Sequence, residues 1–265
     1  MASNKEKMQA NYKDAVHEDE RFLRDKASMM ESHYTKKFLS KYISLDNSVI
    51  ELGCGTGHYG LFLADKCKSY LGIDISLDNI EMFKTKIAHN SLTNVKAQAG
   101  DATNLTSIDD KAYDVVLVLG PMYHLPPEER EMVFEESKRI CKENGIIIYA
   151  YINKVGAYLT GCFLAPDAYP SKKANEFVLD KGKDDIHPDL FFLTMPEEIE
   201  RIAKSHGISV LENVGIDFAF NTNIINAMSE EQLDAWMTLS DFMSTSRSCT
   251  GVSNHALLIC KNSYV

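Results

Sequence analysis

Three closely spaced glycines could bring a ligand against bare backbone. They lie in VIELGCGTGHYG (residues 49–60), where an apolar run leads into Gly53, Gly55 and Gly57. Glycine lacks a Cβ atom and tolerates left-handed backbone, so a ligand can approach such a loop closely. Because open α/β sheets bind ligands at the carboxyl ends of their strands, a glycine loop directly after a strand predicts a binding site. Sharp turns alone would also account for these glycines.

Two acidic residues follow the next two strand-like segments. Asp74 ends YLGID, and Asp101 lies in AGDA. An acid at the position of Asp74 can accept hydrogen bonds from both ribose hydroxyls of a nucleoside, or lie as an acid at a helix N-terminus. A dinucleotide-binding fold would also use Asp74, but its G-x-G-x-x-G pattern needs glycine where this chain has His58. Such a fold has no standard need for Asp101, which alone is equally compatible with a solvated strand end.

Composition restricts the class of protein. The chain has 265 residues, 45% hydrophobic and 25% charged, which fits one soluble domain with insertions. Its net charge of -10 disfavours a phosphate-binding face, so no nucleic-acid partner is expected. The apolar stretches are too short to span a bilayer and the opening residues are unlike a signal peptide, so we expect a cytoplasmic protein without a membrane partner. Six cysteines without CxxC or zinc spacing predict free thiols and no metal site.

Strand-like and helix-like segments alternate between residues 45 and 152. Strands that are apolar throughout, such as YDVVLVLG and GIIIYAYI, are typical of a parallel sheet covered on both faces. Right-handed crossovers then predict a doubly wound α/β layout. Helical spacing predicts a helix over residues 18–43, Ser76 is a predicted N-cap, and PPEEREMVFEESKRICKENG predicts a helix that ends at its glycine.

Two later segments interrupt this alternation. Residues 153–193 are rich in glycine, proline and aromatic residues without a clear period, which favours an irregular lid or binding insertion. A second insertion, at about residues 219–250, contains the helical run SEEQLDAWMTLSDFM. Between them, Thr194 and Glu197 have the spacing of a helix capping box.

Four motifs in order, ELGCGTG, GIDIS, AGDA and YDVVLVLGPMYHL, resemble those of class I S-adenosylmethionine-dependent methyltransferases. The match covers roughly residues 45–152, and HALLICKN resembles the terminal antiparallel strand of that family. The resemblance implies a mostly parallel, seven-stranded, Rossmann-like sheet and S-adenosylmethionine as cofactor, with S-adenosylhomocysteine as product. Residues 45–265 would form the methyltransferase domain with substrate-cap insertions at 153–193 and 219–250. Residues 1–44 would be an N-terminal helical segment that closes over the site.

The same resemblance implies roles for individual residues. The glycine loop would pack on the methionine part of the cofactor and be anchored by Glu51, where the family more often has Asp. Asp74 would bind the ribose, Ile75 would lie on the adenine, and Cys54 fits a small loop-filling residue better than a nucleophile. The implied cofactor-binding residues are Glu51, Gly53, Cys54, Gly55, Gly57, Asp74, Ile75, Asp101, Ala102, Leu119 and Gly120.

Two candidate catalytic residues, Tyr123 and His124, follow the fourth strand, where this family places residues near the transferring methyl group. His124 would take a proton, orient a substrate group, or simply bond nearby backbone. The chain lacks the N-P-P-Y type motif of DNA methylases, and GPMYHL resembles small-molecule methyltransferases. We therefore predict methyl transfer to an O, N or S nucleophile of a small molecule. A methyltransferase acting on protein or RNA, a non-catalytic cofactor-binding protein and a nicotinamide-dependent oxidoreductase are the alternatives.

The remaining candidates concern the acceptor side of the site. In the N-terminal segment they are Tyr12, Arg21 and Tyr34, although a helical stripe that includes Tyr34 is more often core. Aromatic residues of the two insertions would wall an acceptor pocket or bury a homodimer face, and the sequence favours neither. These residues are Tyr158, Phe163, Tyr169, Phe191, Phe192 and Trp236.

Overall fold

A seven-stranded sheet forms the centre of the protein in a computed structural model, which describes residues 4–12, 15–21 and 24–263. The strand order is β3-β2-β1-β4-β5-β7-β6, and β7 runs antiparallel to both of its neighbours. The doubly wound, mostly parallel α/β prediction is therefore confirmed. The strands are β1 (Ser48–Leu52), β2 (Ser69–Asp74), β3 (Val95–Ala99), β4 (Tyr113–Val118), β5 (Cys141–Ile152), β6 (Ser209–Gly215) and β7 (His255–Lys261).

Helices cover both faces of the sheet and its carboxyl edge. Two buried apolar clusters, one on each face, explain why the central strands read as continuous apolar runs. The helices are α1 (Asn4–Asn11), α2 (Ala15–Glu20), α3 (Lys26–Tyr42), α4 (His58–Leu63), α5 (Leu77–His89), α6 (Pro127–Ile140), α7 (Lys154–Leu164), α8 (Lys172–Ala174), α9 (Pro196–Ser205), α10 (Thr222–Ala227), α11 (Glu230–Thr245) and α12 (Arg247–Thr250).

The predicted continuous helix over residues 18–43 is wrong. The chain forms α2, and α3 begins anew after Asp25. The Asp25 carboxylate accepts a hydrogen bond from the amide of Ser28 at 2.8 Å, which satisfies a donor that a helix N-terminus leaves open. The apolar residues with helical spacing all lie within α3, and the capping acid marks where that helix begins.

The predicted end of α6 at Gly145 is also wrong. The helix ends at Ile140, and β5 begins at Cys141, pairing with Tyr113 of β4 before the register shifts. Asn144 has a positive φ of 63°, a conformation that asparagine tolerates better than most residues. The polar stretch KENG therefore belongs to an irregular start of the strand.

The first insertion is more helical than its composition predicts. It contains α7, α8 and a π-helical segment over Asn175–Asp180. Gly156 of α7 packs against the chain just before β7, and a Cβ atom there would lie 2.1 Å from the Ser253 carbonyl oxygen. Here glycine allows close packing of a helix and does not mark a loop.

The capping prediction for α9 is off by one residue. Met195 is the N-cap, and its amide donates to Oε2 of Glu198 at 3.0 Å. The Thr194 hydroxyl donates to the same oxygen at 3.1 Å. The N-cap predicted at Ser76 is confirmed, because its hydroxyl accepts from the amide of Asn79.

Candidate functional site

A pocket lies where the carboxyl ends of β1, β2, β3 and β4 meet. It contains about 1010 Å³ of empty space, counted with the open solvent at its mouth. Among the predicted cofactor-binding and catalytic residues, Gly57 alone does not line it. The predicted residues that line it are Glu51, Gly53, Cys54, Gly55, Asp74, Ile75, Asp101, Ala102, Leu119, Gly120, Tyr123 and His124.

The glycines of the loop share a left-handed conformation, but Gly53 and Gly57 have different packing roles. Gly53, Gly55 and Gly57 have φ values of 76°, 53° and 85°, in the region that favours glycine. A Cβ atom at Gly53 would lie 2.6 Å from Cδ of Pro121, so this glycine lets the loops after β1 and β4 approach. A Cβ atom at Gly57 would lie 2.0 Å from the Phe83 ring, so Gly57 permits helix packing behind the pocket.

Asp74 holds the glycine loop in place. One carboxylate oxygen accepts from the amide of Gly55 and the other from the amide of Ser76, both at 2.8 Å. Burial raises the pKa of Asp74, although these two backbone hydrogen bonds oppose the shift. The oxygen bonded to Gly55, Oδ2, has a second lone pair, so the carboxylate can still accept from a ligand hydroxyl.

Asn79 is a pocket residue that the sequence analysis missed. Its carboxamide nitrogen donates to Asp74 at 3.4 Å, while its buried carboxamide oxygen has no hydrogen-bond partner among the described residues. Such an orphaned acceptor is costly in a folded protein unless a ligand or water satisfies it. Beside Asp74, it suits the hydroxyl or amino donors of an adenosine. In the sequence, only its position in the first turn of α5, after the predicted N-cap Ser76, places it near the end of β2.

Glu51 lies beneath the glycine loop and is 1% exposed. The Tyr70 hydroxyl donates to its carboxylate. Burial raises the pKa of Glu51 to about 8; the Tyr70 hydrogen bond lowers it and the charge of Asp74 raises it further. Glu51 is therefore largely protonated near neutral pH when no cation lies beside it.

Cys54 is suited to filling space. Its thiol contacts the Gly55 carbonyl oxygen at 3.6 Å, and burial together with the charges of Asp74 and Glu51 raises its pKa. A thiolate is the reactive form of cysteine, so these surroundings disfavour a nucleophile.

The N-terminal helix α1 lies against the end of the pocket formed by Ile75 and Asp101. Lys5 forms an ion pair with Asp101 at 3.2 Å, and Gln9 donates to the Ile75 carbonyl at 3.3 Å. The hydroxyl and amide of Thr103 also donate to Asp101. Asp101 is thus held by three groups, and α1 covers this end of the pocket.

At the opposite end, His124 joins three separate segments. Its Nδ1 lies 2.9 Å from the Leu190 carbonyl oxygen, which can only accept, so Nδ1 carries the hydrogen. Its Nε2 is then the acceptor for the Tyr12 hydroxyl at 2.5 Å. Burial lowers the pKa of His124 to about 4. A neutral imidazole with both nitrogens engaged is well placed to position the covering segments and poorly placed to take a proton.

The other acceptor-side predictions divide. Tyr12 and Arg21 line the pocket, whereas Tyr34 is fully buried and donates to the Met237 carbonyl. None of the six aromatic residues of the insertions is among the pocket-lining residues. Phe191 contacts His124, with ring centroids 5.1 Å apart, and its neighbour Phe192 donates its amide to the Tyr123 carbonyl.

Across residues 4–12, 15–21 and 24–263, no helix combines the length and apolar character needed to cross a membrane. Within the same ranges, no three or more His, Cys, Asp or Glu side chains are grouped so as to hold a metal ion.

Comparisons with known proteins agree with this geometry. Residues 49–145 match the family described as a methyltransferase domain. The ubiquinone biosynthesis O-methyltransferase of Rickettsia bellii is 27% identical over 212 residues, which cover 79% of this chain and 77% of the relative.

Two solved structures share the fold. A chain from the complex between the Haloferax volcanii Trm112 methyltransferase activator and a methyltransferase has a TM-score of 0.62 at 18% identity, covering 99% of each chain. Geranyl diphosphate C-methyltransferase of Streptomyces coelicolor A3(2), in complex with S-adenosylhomocysteine, has a TM-score of 0.58 at 13% identity, covering 87% of this chain and 78% of that one. The matched domain spans the strands that build the pocket, which confirms the predicted resemblance to class I S-adenosylmethionine-dependent methyltransferases and the predicted cofactor, S-adenosylmethionine.

Proposed function

We propose that the protein transfers a methyl group to an O, N or S atom of a small molecule. The observation that carries this proposal is the end of the pocket where the Tyr12 hydroxyl, His124 and the Leu190 carbonyl are hydrogen-bonded in a row. The N-terminal segment and the insertion at 153–193 therefore meet beside the residues that follow β4. A site that two segments cover in this way suits a small acceptor better than a segment of protein or RNA.

The cofactor would be held by residues from the strand ends. Asp74 and Asn79 offer acceptors for the adenosine, and the loop around Gly55 offers bare backbone to the methionine part. Glu51 lies beneath that loop and would be favoured in its ionised form beside the cofactor's positive charges. When bound, the cofactor supplies an electrophilic methyl group on a positively charged sulfur.

The protein's own contribution to such a reaction is largely alignment. Displacement at a methyl carbon needs nucleophile, carbon and leaving sulfur in line, and orientation of bound groups can supply much of the acceleration. Tyr123 supports this role, since its hydroxyl donates to the Leu119 carbonyl at 3.0 Å and its ring is fixed against His124.

Two further observations support a small-molecule acceptor. Curated relatives include O-methyltransferases of ubiquinone biosynthesis. The net charge of -10 disfavours the phosphate contacts that dominate nucleic-acid binding.

Screening pooled acceptors tests the proposal. The protein is incubated with S-adenosylmethionine and separate pools of small molecules, RNA and protein, and both S-adenosylhomocysteine release and gain of one methyl group are measured by mass spectrometry. We expect turnover with small molecules and none with Gly55→Val. Methylation confined to RNA or protein, or cofactor binding without turnover in any pool, would favour an alternative function.

A further inference from the structure

A second histidine, His255, lies beside the acceptor end of the pocket. It opens β7 and pairs with Ile152, the last residue of β5, so it lies at the edge of the sheet where the parallel strands end. Its Nδ1 is 2.9 Å from a carboxylate oxygen of Asp217 and 3.9 Å from one of Glu31. Because a carboxylate can only accept, Nδ1 donates to Asp217.

Asp217 is itself firmly held. The amide of Ala219 donates to one of its oxygens at 3.1 Å, and the side-chain amide of Asn254 donates to the other at 3.2 Å. A base oriented by a fixed carboxylate is the arrangement that activates nucleophiles in many enzymes.

The other ring nitrogen of His255, Nε2, is left for a ligand. Within the described part of the chain, Nε2 makes no hydrogen bond. The side chains of His255 and Asp217 are each 14% exposed and that of Glu31 is 17% exposed. These three side chains are thus largely enclosed by protein but still reach solvent.

Arg21 and Tyr123 connect His255 and Glu31 to the cofactor pocket. Both line the pocket. The Arg21 guanidinium forms an ion pair with Glu31 at 3.6 Å, and the Tyr123 ring lies 6.0 Å from the His255 ring. The charge of Arg21 lowers the pKa of both His124 and His255.

We propose that His255, oriented by Asp217, is the catalytic base that takes the proton of a phenolic hydroxyl on the acceptor. This inference rests on the proposed methyl-transfer function. His124 is unsuited to the role because both of its nitrogens are engaged. A phenol fits because its proton is acidic enough for an imidazole to assist its removal, and because the rings of Tyr123 and His124, which line the pocket, offer planar contacts.

A lone pair of the phenolic oxygen forms the new oxygen–carbon bond, and the sulfur keeps the electron pair of the broken carbon–sulfur bond. The phenolic proton moves to Nε2 of His255 and later to solvent. Asp217 stabilises the resulting imidazolium.

Charged neighbours on several elements set the pH dependence of this base. Burial lowers the pKa of His255, but Glu31 on α3 and Asp217 after β6 outweigh it, so the pKa is raised; Arg21 opposes them. His255 must be neutral to accept a proton, so activity rises with pH through its raised pKa. Asp217→Asn removes one carboxylate and should move that acidic limb to lower pH.

Catechol and thiophenol are the probes that test the proposal. Thiophenol ionises readily without help, so only catechol should need the base. We expect His255→Gln to lower catechol methylation by roughly 10²-fold or more and to change thiophenol methylation and S-adenosylhomocysteine affinity little. His206→Gln is the matched control, because His206 pairs with Glu131 at 2.5 Å outside the pocket lining.

Unchanged catechol turnover in His255→Gln, or an equal loss with both probes, overturns the base role. Methyl transfer that never includes catechol overturns the phenolic class, while failure to bind S-adenosylhomocysteine would instead defeat the proposed function.

A second readout does not depend on turnover. In protein labelled at histidine and saturated with S-adenosylhomocysteine, nuclear magnetic resonance should show catechol shifting the His255 signal and leaving that of His206 in place. The His255 pKa should be lower in Asp217→Asn than in the unmodified protein. A His255 signal that ignores catechol, or a pKa that Asp217→Asn leaves unchanged, contradicts the proposal.

Discussion

Two halves of the pocket are built from different kinds of contact. The cofactor half lies around Gly55 and Asp74, and the acceptor half lies around Tyr12 and His124. In the cofactor half, Asp74 holds Gly55, only 19 positions away, and both lie directly at the ends of neighbouring strands. In the acceptor half, Tyr12 meets His124 across 112 positions, and His255 meets Asp217 across 38. One half is fixed by the sheet, and the other depends on segments that side chains hold in place.

This difference predicts where each half is vulnerable. Backbone changes in the glycine loop should remove cofactor binding outright, because the loop has no other way to follow its path. Removing one hydroxyl from the acceptor half, such as that of Tyr12, should weaken the packing of the N-terminal segment over the pocket and leave the cofactor half intact.

The largest effect is expected from Gly55→Val. Gly55 has a positive φ and lines the pocket, so a branched side chain is both strained there and directed at the space a ligand would use. We expect S-adenosylhomocysteine affinity to fall by more than about 10²-fold, measured by calorimetry. Gly207→Val is the control, because Gly207 has a φ of 67° but does not line the pocket. Equal binding by the two variants would mean that the loop is only a turn.

Asp74→Ala should have the next largest effect. Hydrogen bonds to a charged group contribute about 1.5–3 kcal/mol each, so affinity for S-adenosylhomocysteine should fall roughly 10- to 150-fold. Calorimetry measures the affinity, and thermal unfolding without ligand checks that the fold survives. Asp78→Ala, on the exposed side of α5, should bind normally. If both variants keep full affinity, Asp74 serves the loop and not the ligand.

The residues of the cofactor half could be predicted from the sequence because they lie in contiguous motifs at the ends of strands. Glycines, the acid after β2 and the acid after β3 all occur at fixed offsets from apolar runs that have to form a sheet. Gly57 shows the limit, since its spacing matched the motif while its conformation serves packing against Phe83. Asn79 lay within the same stretch but carries no pattern that separates it from an ordinary helix residue.

The acceptor half could not be read in this way. His255 lies in an apolar strand that reads as structure, and Asp217 follows β6 in a segment without a motif. Their pairing depends on β7 inserting between β5 and β6, which is a property of the sheet and not of the local sequence. His124 was found by its position after β4, yet the carbonyl and hydroxyl that engage it come from distant segments.

A smaller effect is expected from the ionisation of Glu51, which should make the free energy of unfolding depend on pH. Its pKa of about 8 in the folded protein exceeds its ordinary value of 4.5, so folding takes up a proton. That contribution to stability is complete below about pH 4.5 and is lost as pH rises through about 8.

Urea unfolding of ligand-free protein at several pH values measures this loss. The glutamine of Glu51→Gln cannot titrate but can still accept a hydrogen bond from Tyr70. Between about pH 4.5 and pH 8, the free energy of unfolding should therefore fall by at least about 1 kcal/mol less in this variant than in the unmodified protein. Parallel pH profiles for the two proteins would show that Glu51 is already ionised when folded.

The smallest effect is expected from Tyr12→Phe, which tests whether residues 1–40 and 153–193 form a lid. The variant removes only the hydroxyl that donates to His124, a bond of about 0.5–1.5 kcal/mol, so S-adenosylhomocysteine affinity should fall a few-fold. Hydrogen exchange should be fast in both segments without ligand, slow when S-adenosylhomocysteine is bound, and less slowed in the variant. Tyr158→Phe is the control, because it removes a hydroxyl bonded to Asn175 within one insertion. Slow exchange in both segments regardless of ligand would indicate a fixed cap, and slowing that depends on protein concentration would indicate a dimer contact. If hydrogen exchange in Tyr12→Phe matches that of the unmodified protein, the Tyr12 hydroxyl does not link the two segments to the bound ligand. The residues at the strand ends would then hold the ligand alone.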